Sequence, residues 1–328
     1  MKERFASIDL GGTKIAAAIA GSDGEVLAEG RIATNSQEGP NAVLLRVADL
    51  VTELAAASGT QPRALGMGVP GLVDVATGVT QFLPNLPSQW RGVPVAETLS
   101  AKLDCSVYLL NDARMAAFGE FTFGRGRSAD TMIFLTIGTG IGGGIVIDRK
   151  LRLGPLGAAG EIGHQTVQRD GPLCGCGNRG CLEALASGPA LVGEGVRLLH
   201  SGLAPVLFEM VSGNAAGVTP KEMGAAARAG DTAVREAIAR TATWLGIGIA
   251  NMVTALHPEI VVLGGSVAAL DDLLLEPVRA TVAERVHMFP IHDLRIERSL
   301  LGDNAGLLGG IALAAAKTSE VGAVNQLV

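Results

Sequence analysis

Residues 9–14 read Asp9-Leu10-Gly11-Gly12-Thr13-Lys14. A carboxylate ends an apolar run, two glycines open a turn, and a hydroxyl and an ammonium follow. Backbone amides in such a turn can approach an anion closely, and Asp9 can hold Mg2+ directly or through water. The same residues also suit an ordinary hairpin turn. A second stretch, Thr136-Ile137-Gly138-Thr139-Gly140-Ile141-Gly142-Gly143-Gly144, has five glycines in the seven positions 138–144. Glycine costs backbone entropy, and phosphate cradling accounts for that number where a bare turn does not. A third, Gly160-Glu161-Ile162-Gly163-His164, precedes Cys174, Cys176 and Cys181 in C-x-C-x4-C spacing. His164 and the three thiols match tetrahedral zinc. With four protein ligands the ion is expected to be structural. Glu161 and Glu183 flank that knot and can accept hydrogen bonds from sugar hydroxyls. The fourth candidate, Asn111-Asp112, also ends an apolar run. An Asp entering a helix is an ordinary N-cap. Beside phosphate-binding loops, Asp112 is instead a candidate base that orients a substrate hydroxyl and takes its proton.

The elements that must position these residues follow from periodicity. Apolar runs over 5–10, 15–20 and 26–32, separated by glycine-rich turns, predict three strands. Helical spacing of Val43, Leu44, Val47, Leu50, Val51 and Leu54 predicts a helix over 41–58. Strands are expected at 64–69 and 105–110, and a helix at 115–121. The pattern then partly repeats. A strand over 131–137 meets the glycine loop 138–144, a strand resumes over 145–147, and a helix over 231–256 precedes a strand over 260–263 capped by Gly264-Gly265. Two copies of a strand–glycine–strand device predict two related α/β lobes around a cleft, with a boundary near residue 120.

Composition narrows the class. Glycine is 45 of 328 residues, about 14%, twice the usual share, with no collagen period. Aromatics are 3%, which disfavours gripping a ligand mainly by ring stacking. The net charge is −6 with no basic cluster, so binding to nucleic acid through a basic face is disfavoured. No run approaches ~18 apolar residues and none resembles a leader, so a soluble cytoplasmic protein is expected, with no membrane partner. Clustered thiols in a reducing compartment point to metal more than disulfide; Cys105 is expected in the core. Two G-x-G-x-x-G matches, at 66–71 and 138–143, lead into strands rather than helices. The dinucleotide reading therefore fails, and no P-loop is present.

Together these segments resemble the ROK kinases (repressor, open reading frame, kinase) of the actin/hexokinase ATPase superfamily. The resemblance runs through DLGGTK at 9–14, GVPGLVD at 68–74, PNLPSQW at 84–90 and NDA at 111–113. It continues through TIGTGIGGG at 136–144, GEIGH at 160–164, CGCGNRGCLE at 174–183, VVLGGSV at 261–267 and DNAGLLGG at 303–310. It implies two ribonuclease-H-like lobes: a small one over 1–118 plus 304–320, and a large one over 119–303 carrying the zinc segment 164–181. It implies Asp112 as catalytic base. Asn111, Glu161, His164 and Glu183 become sugar contacts, and Gly71 and Asn85 line the sugar pocket. Asp9, Gly11, Gly12, Thr13 and Lys14, with Gly138, Thr139, Gly140, Gly142 and Gly143, become the phosphate loops. Gly264 and Gly265 become the adenosine loop, where a third glycine, frequent in the family, is missing. The implied activity is ATP- and Mg2+-dependent phosphorylation of a hexose 6-hydroxyl, glucose first, in a homodimer or homotetramer. N-acetylmannosamine or N-acetylglucosamine kinase, a sugar sensor without turnover, and polyphosphate as donor are the alternatives. Some members are repressors with a DNA-binding segment ahead of the kinase-like part. Only eight residues precede Asp9 here, which disfavours that class.

Overall fold

The computed structural model describes residues 3–318. Its strands are β1 (Arg4–Leu10), β2 (Lys14–Gly21), β3 (Val26–Ala33), β4 (Ala64–Val69), β5 (Leu72–Asp74), β6 (Val79–Phe82), β7 (Ser106–Asn111), β8 (Met132–Ile137), β9 (Ile141–Ile147), β10 (Lys150–Leu151), β11 (Ile260–Gly264) and β12 (Arg295–Arg298). Its α-helices are α1 (Pro40–Ser58), α2 (Val95–Leu103), α3 (Asp112–Phe123), α4 (Leu182–Ala186), α5 (Gly188–His200), α6 (Pro205–Met210), α7 (Pro220–Arg228), α8 (Thr232–Leu256), α9 (Asp272–Arg285) and α10 (Ala305–Thr318). The chain is α/β with two mixed five-stranded sheets and one small hairpin, β5–β6. No described helix is long and apolar enough to cross a membrane.

The chain forms two compact units. Among the described residues, the first holds those up to Asp130, Gly144–Gly160 and Leu300–Thr318; the second holds Thr131–Gly143 and Glu161–Ser299. The expected break at 118/119 falls differently. Residues 119–130 stay with the first unit because Glu120, fully buried, accepts the Arg125 and Leu301 amides at 3.0 and 2.8 Å. Residues 144–160 join it too, since Gly144 has no Cβ and lets β9 lie against Ala117 of α3. Residues 319 and 320 of the expected small lobe lie outside the described residues, as do Met1 and Lys2.

In the first unit the sheet order is β3-β2-β1-β4-β7. β1 pairs with β2 antiparallel and with β4 parallel, and β4 pairs with β7 parallel. Proline at its first turn starts α1, and Gly59 in the left-handed region ends it; its stripe of Val43, Leu44, Val47 and Val51 is buried. Helix α10 lies very close to α3 and β4. A Cβ on Gly66 or Gly309 would run into the backbone of Gly310 or Met115, and one on Gly119 would run into that of Ala305.

The other large sheet runs β10-β9-β8-β11-β12, and the division between units falls inside β9, after Gly143. In the second unit β11 pairs in parallel with β8 and with β12. Helix α8 is capped by Asp231, whose side chain accepts the Val234 amide at 3.3 Å. The strand–glycine–strand device is present twice, as β1–β2 and as β8–β9.

Candidate active site

In the first unit, the candidate residues Asp9, Gly71, Asn111 and Asp112 lie at or just beyond the carboxyl ends of β1, β4 and β7. Asp9 pairs in register with Gly68, and Val69 with Asn111. A Cβ on Gly68 would lie 3.7 Å from Asp9 Oδ1 and 3.6 Å from Asp112 Cα, so Gly68 sits beside both acidic residues. Burial pushes the Asp9 carboxyl above its ordinary range, and the Lys14 ammonium pulls it part of the way back. The turn after Asp9 is braced. The Gly11 amide donates to Lys14 O at 2.9 Å, the Thr34 hydroxyl to Gly11 O at 2.7 Å, and the Thr34 amide to Thr13 O at 2.9 Å. The Gly11 amide is therefore already used. Neither Gly11 nor Gly12 has positive φ, so their requirement is close approach. A Cβ on Gly12 would lie 3.2 Å from the Asn85 carbonyl oxygen. Asn85 itself is exposed in a loop where Ser88, Gln89 and Trp90 adopt φ of 58, 53 and 43°, pinned by the buried Trp90.

Asp112 is the first residue of α3, three residues earlier than the periodicity predicts. Its Oδ1 accepts the Ala113 amide at 2.8 Å. Asn111 is the N-cap: its Oδ1 accepts the Ala113 and Arg114 amides, and its Nδ2 donates to Gly71 O at 3.2 Å. Gly71 has φ 141°, and a Cβ there would run into Phe82 O. Arg114, not singled out from the sequence, bonds Asn111 Oδ1 at 2.8 Å. The available signal was a cation among small and apolar helix residues.

In the second unit the glycine turn is shorter than expected. β8 ends at Ile137 and β9 begins at Ile141, so the turn is Gly138-Thr139-Gly140, while Gly142 and Gly143 lie in a strand. Glycine in a strand reads as loop because it lacks the branched side chains that mark one. The Gly138 amide donates to Gly140 O at 2.9 Å, and the Ile141 amide to Glu183 Oε2 at 2.8 Å. Those amides are used internally; Thr139 and Gly140 stand at the tip. A Cβ on Gly138 would meet nothing within 4 Å, whereas one on Gly140 would run into the Glu183 carboxylate. Gly264 ends β11, and Gly265, at φ 84°, packs on the backbone of Ile137.

His164, Cys174, Cys176 and Cys181 come together with their ligand atoms all within 4.8 Å of one another. Cys176 and Cys181 Sγ are 3.7 Å apart, and Cys174 Sγ lies 3.7 Å from His164 Nδ1. Zinc–sulfur bonds of about 2.3 Å at a tetrahedral angle give edges of about 3.8 Å, so the donor set fits that ion. Burial pushes the Cys174 thiol up and the Cys181 thiol up to about 12, while the Asn178 backbone lowers Cys176. Such thiols become ligands when a cation compensates their charge. His164 Nε2 faces away from this cluster, 3.8 Å from Glu161 Oε2. Cys105 is half-buried against the first unit's core.

Comparison with known proteins gives these positions a family. A model of the ROK family matches residues 5–317. The chain belongs to the ROK family. Within this family, a glucokinase of Thermotoga maritima is 33% identical over 95% of this chain and 97% of its own length. A xylose repressor of Caldicellulosiruptor bescii is 34% identical over 93% of this chain and 76% of its own. The crystal structure of a ROK family glucokinase from Streptomyces griseus, in complex with glucose and AMPPNP, is 34% identical with a TM-score of 0.83. It covers 95% of this chain and 99% of that one.

Proposed function

We propose that this ROK protein is a glucokinase with actin-like ATPase lobes, transferring the γ-phosphoryl group of ATP to the 6-hydroxyl of glucose. The observation that carries the reading is the pair of acidic residues beside Gly68, Asp9 at the end of β1 and Asp112 at the start of α3. The likeness to a glucokinase that binds glucose and AMPPNP supports it.

Asp112 orients the 6-hydroxyl and accepts its proton as the oxygen attacks the γ-phosphorus. The bond from that phosphorus to the β,γ-bridging oxygen breaks, and ADP leaves. Asn111, Glu161, His164 and Glu183 hold the sugar hydroxyls. Amides of Gly12, Thr13, Thr139 and Gly140 receive phosphate oxygens, and the Gly264-Gly265 turn takes the adenosine. Asp9 would hold Mg2+, and His164, Cys174, Cys176 and Cys181 would hold zinc. Magnesium would supply charge neutralisation at the phosphates, and zinc would rigidify the cluster beside Glu183.

The test is ADP release with glucose, mannose, fructose, N-acetylglucosamine and N-acetylmannosamine in parallel, with ATP or polyphosphate as donor. Glucose with ATP should be the best pair; preference for an N-acetylhexosamine would reassign the substrate. The likeness to a xylose repressor favours a second reading, a sugar sensor. Sugar binding without ADP release would establish it.

A further inference from the structure

Arg114 is one of the largest fully buried side chains, 1% exposed, one turn along α3 from Asn111. Its Nη1 donates to Asn111 Oδ1 at 2.8 Å, its Nε to Ala159 O at 2.9 Å and its Nη2 to Ala158 O at 2.8 Å. A buried guanidinium is tolerated only when its donors are satisfied, and here one planar fork spans three acceptors. Two consequences follow. Asn111 Oδ1 accepts from the Ala113 amide, the Arg114 amide and the guanidinium, so the amide cannot turn over. Its Nδ2 spends one hydrogen on Gly71 O, and a primary amide carries a second. The ligand atom that meets Asn111 must therefore accept a hydrogen bond. The two carbonyls, meanwhile, directly precede Gly160, at φ 98°, which leads into Glu161.

We propose that Arg114 is a positioning residue for the sugar: it locks Asn111 as a donor and fixes the backbone that enters Glu161. The proposal rests on the hexose-site reading above, but the tie itself is measurable without any sugar. The Ala159 amide is bonded to Leu153 O at 2.9 Å, so its hydrogen exchange reports how firmly the segment is held.

The experiment compares the full chain with R114K and R114M. Lysine keeps the charge but offers no planar fork. In both variants Ala159 exchange should accelerate about 10-fold or more, and glucose binding measured by calorimetry should weaken by at least about 10-fold. The KM for ATP should change by less than about 2-fold. In an N111A background, R114K should cost much less than it does alone. Unchanged Ala159 exchange in the folded variants would overturn the proposal. So would an R114K penalty of full size in N111A, or glucose and ATP parameters worsening together in proportion to lost folded protein. If the wild-type chain neither binds nor phosphorylates a hexose, the functional reading fails, and Ala159 exchange still decides whether Arg114 holds the segment.

Discussion

Glu183 Oε2 accepts the Ile141 amide at 2.8 Å while its Oε1 lies 3.8 Å from Cys174 Sγ. One side chain thus joins the cysteine cluster to the first residue of β9, where the glycine turn ends. Loss of metal at the cluster should therefore be felt at the turn. C176S should reduce zinc to well under one equivalent by metal analysis and raise the KM for both glucose and ATP about 10-fold or more. Unchanged kinetics in zinc-free protein would separate the cluster from the site.

Asp112 needs no side chain beyond its carboxylate to do what is proposed for it. D112A should lower kcat about 100- to 10,000-fold, as loss of a general base does. Because Asn111, not Asp112, caps α3 through two backbone amides, the helix start should survive. Glucose affinity by calorimetry should stay within a few fold. Retained turnover would move the base elsewhere.

Much of this site was legible because strands bounded by glycine announce themselves. β1, β2, β4, β8 and β11 stand within one or two residues of their expected positions; Asp9 is the next-to-last residue of β1 and Asn111 the last of β7. What was not legible depends on partners distant in sequence. Gly66, Gly119, Gly309 and Gly310 look like excess glycine, but each lets α10 approach β1, β4 or α3, and no local pattern says so. At Gly144 too the neighbour that excludes a side chain is distant in sequence: Ala117, 27 positions earlier. Nothing local to Arg114 shows that its acceptors lie at 158 and 159.

Asp9 is expected to trade stability for function. Its folded pKa lies above the ordinary 3.8 because burial disfavours the charged form. The native state is favoured at pH below the unfolded value, and that advantage is lost as pH rises through the folded pKa. Above the unfolded value, burial of Asp9 therefore costs the native state stability. D9N should raise Tm at pH 7 by about 2 °C, with the gain shrinking towards pH 4, while kcat with Mg2+ falls about 100-fold or more. Adding Mg2+ should raise the wild-type Tm and leave D9N unmoved. A lower Tm for D9N at neutral pH would contradict the assigned environment.

Gly265 is the position where backbone geometry bears most directly on nucleotide. Its φ of 84° belongs to the left-handed region, which costs an L-residue about 1–2 kcal/mol. A Cβ there would also press on the Ile137 backbone, whose carbonyl accepts the Val267 amide at 3.0 Å. Ile137 immediately precedes the Gly138-Thr139-Gly140 turn, so a shift forced at 265 reaches the adjoining turn through one residue. G265A should then raise the KM for ATP about 10-fold while glucose binding in the absence of nucleotide is preserved, because Asn111, Asp112 and Glu161 belong to other segments. Equal losses for sugar and nucleotide would mean that the substitution loosens the second unit as a whole and that the Gly264-Gly265 turn has no particular part in holding adenosine.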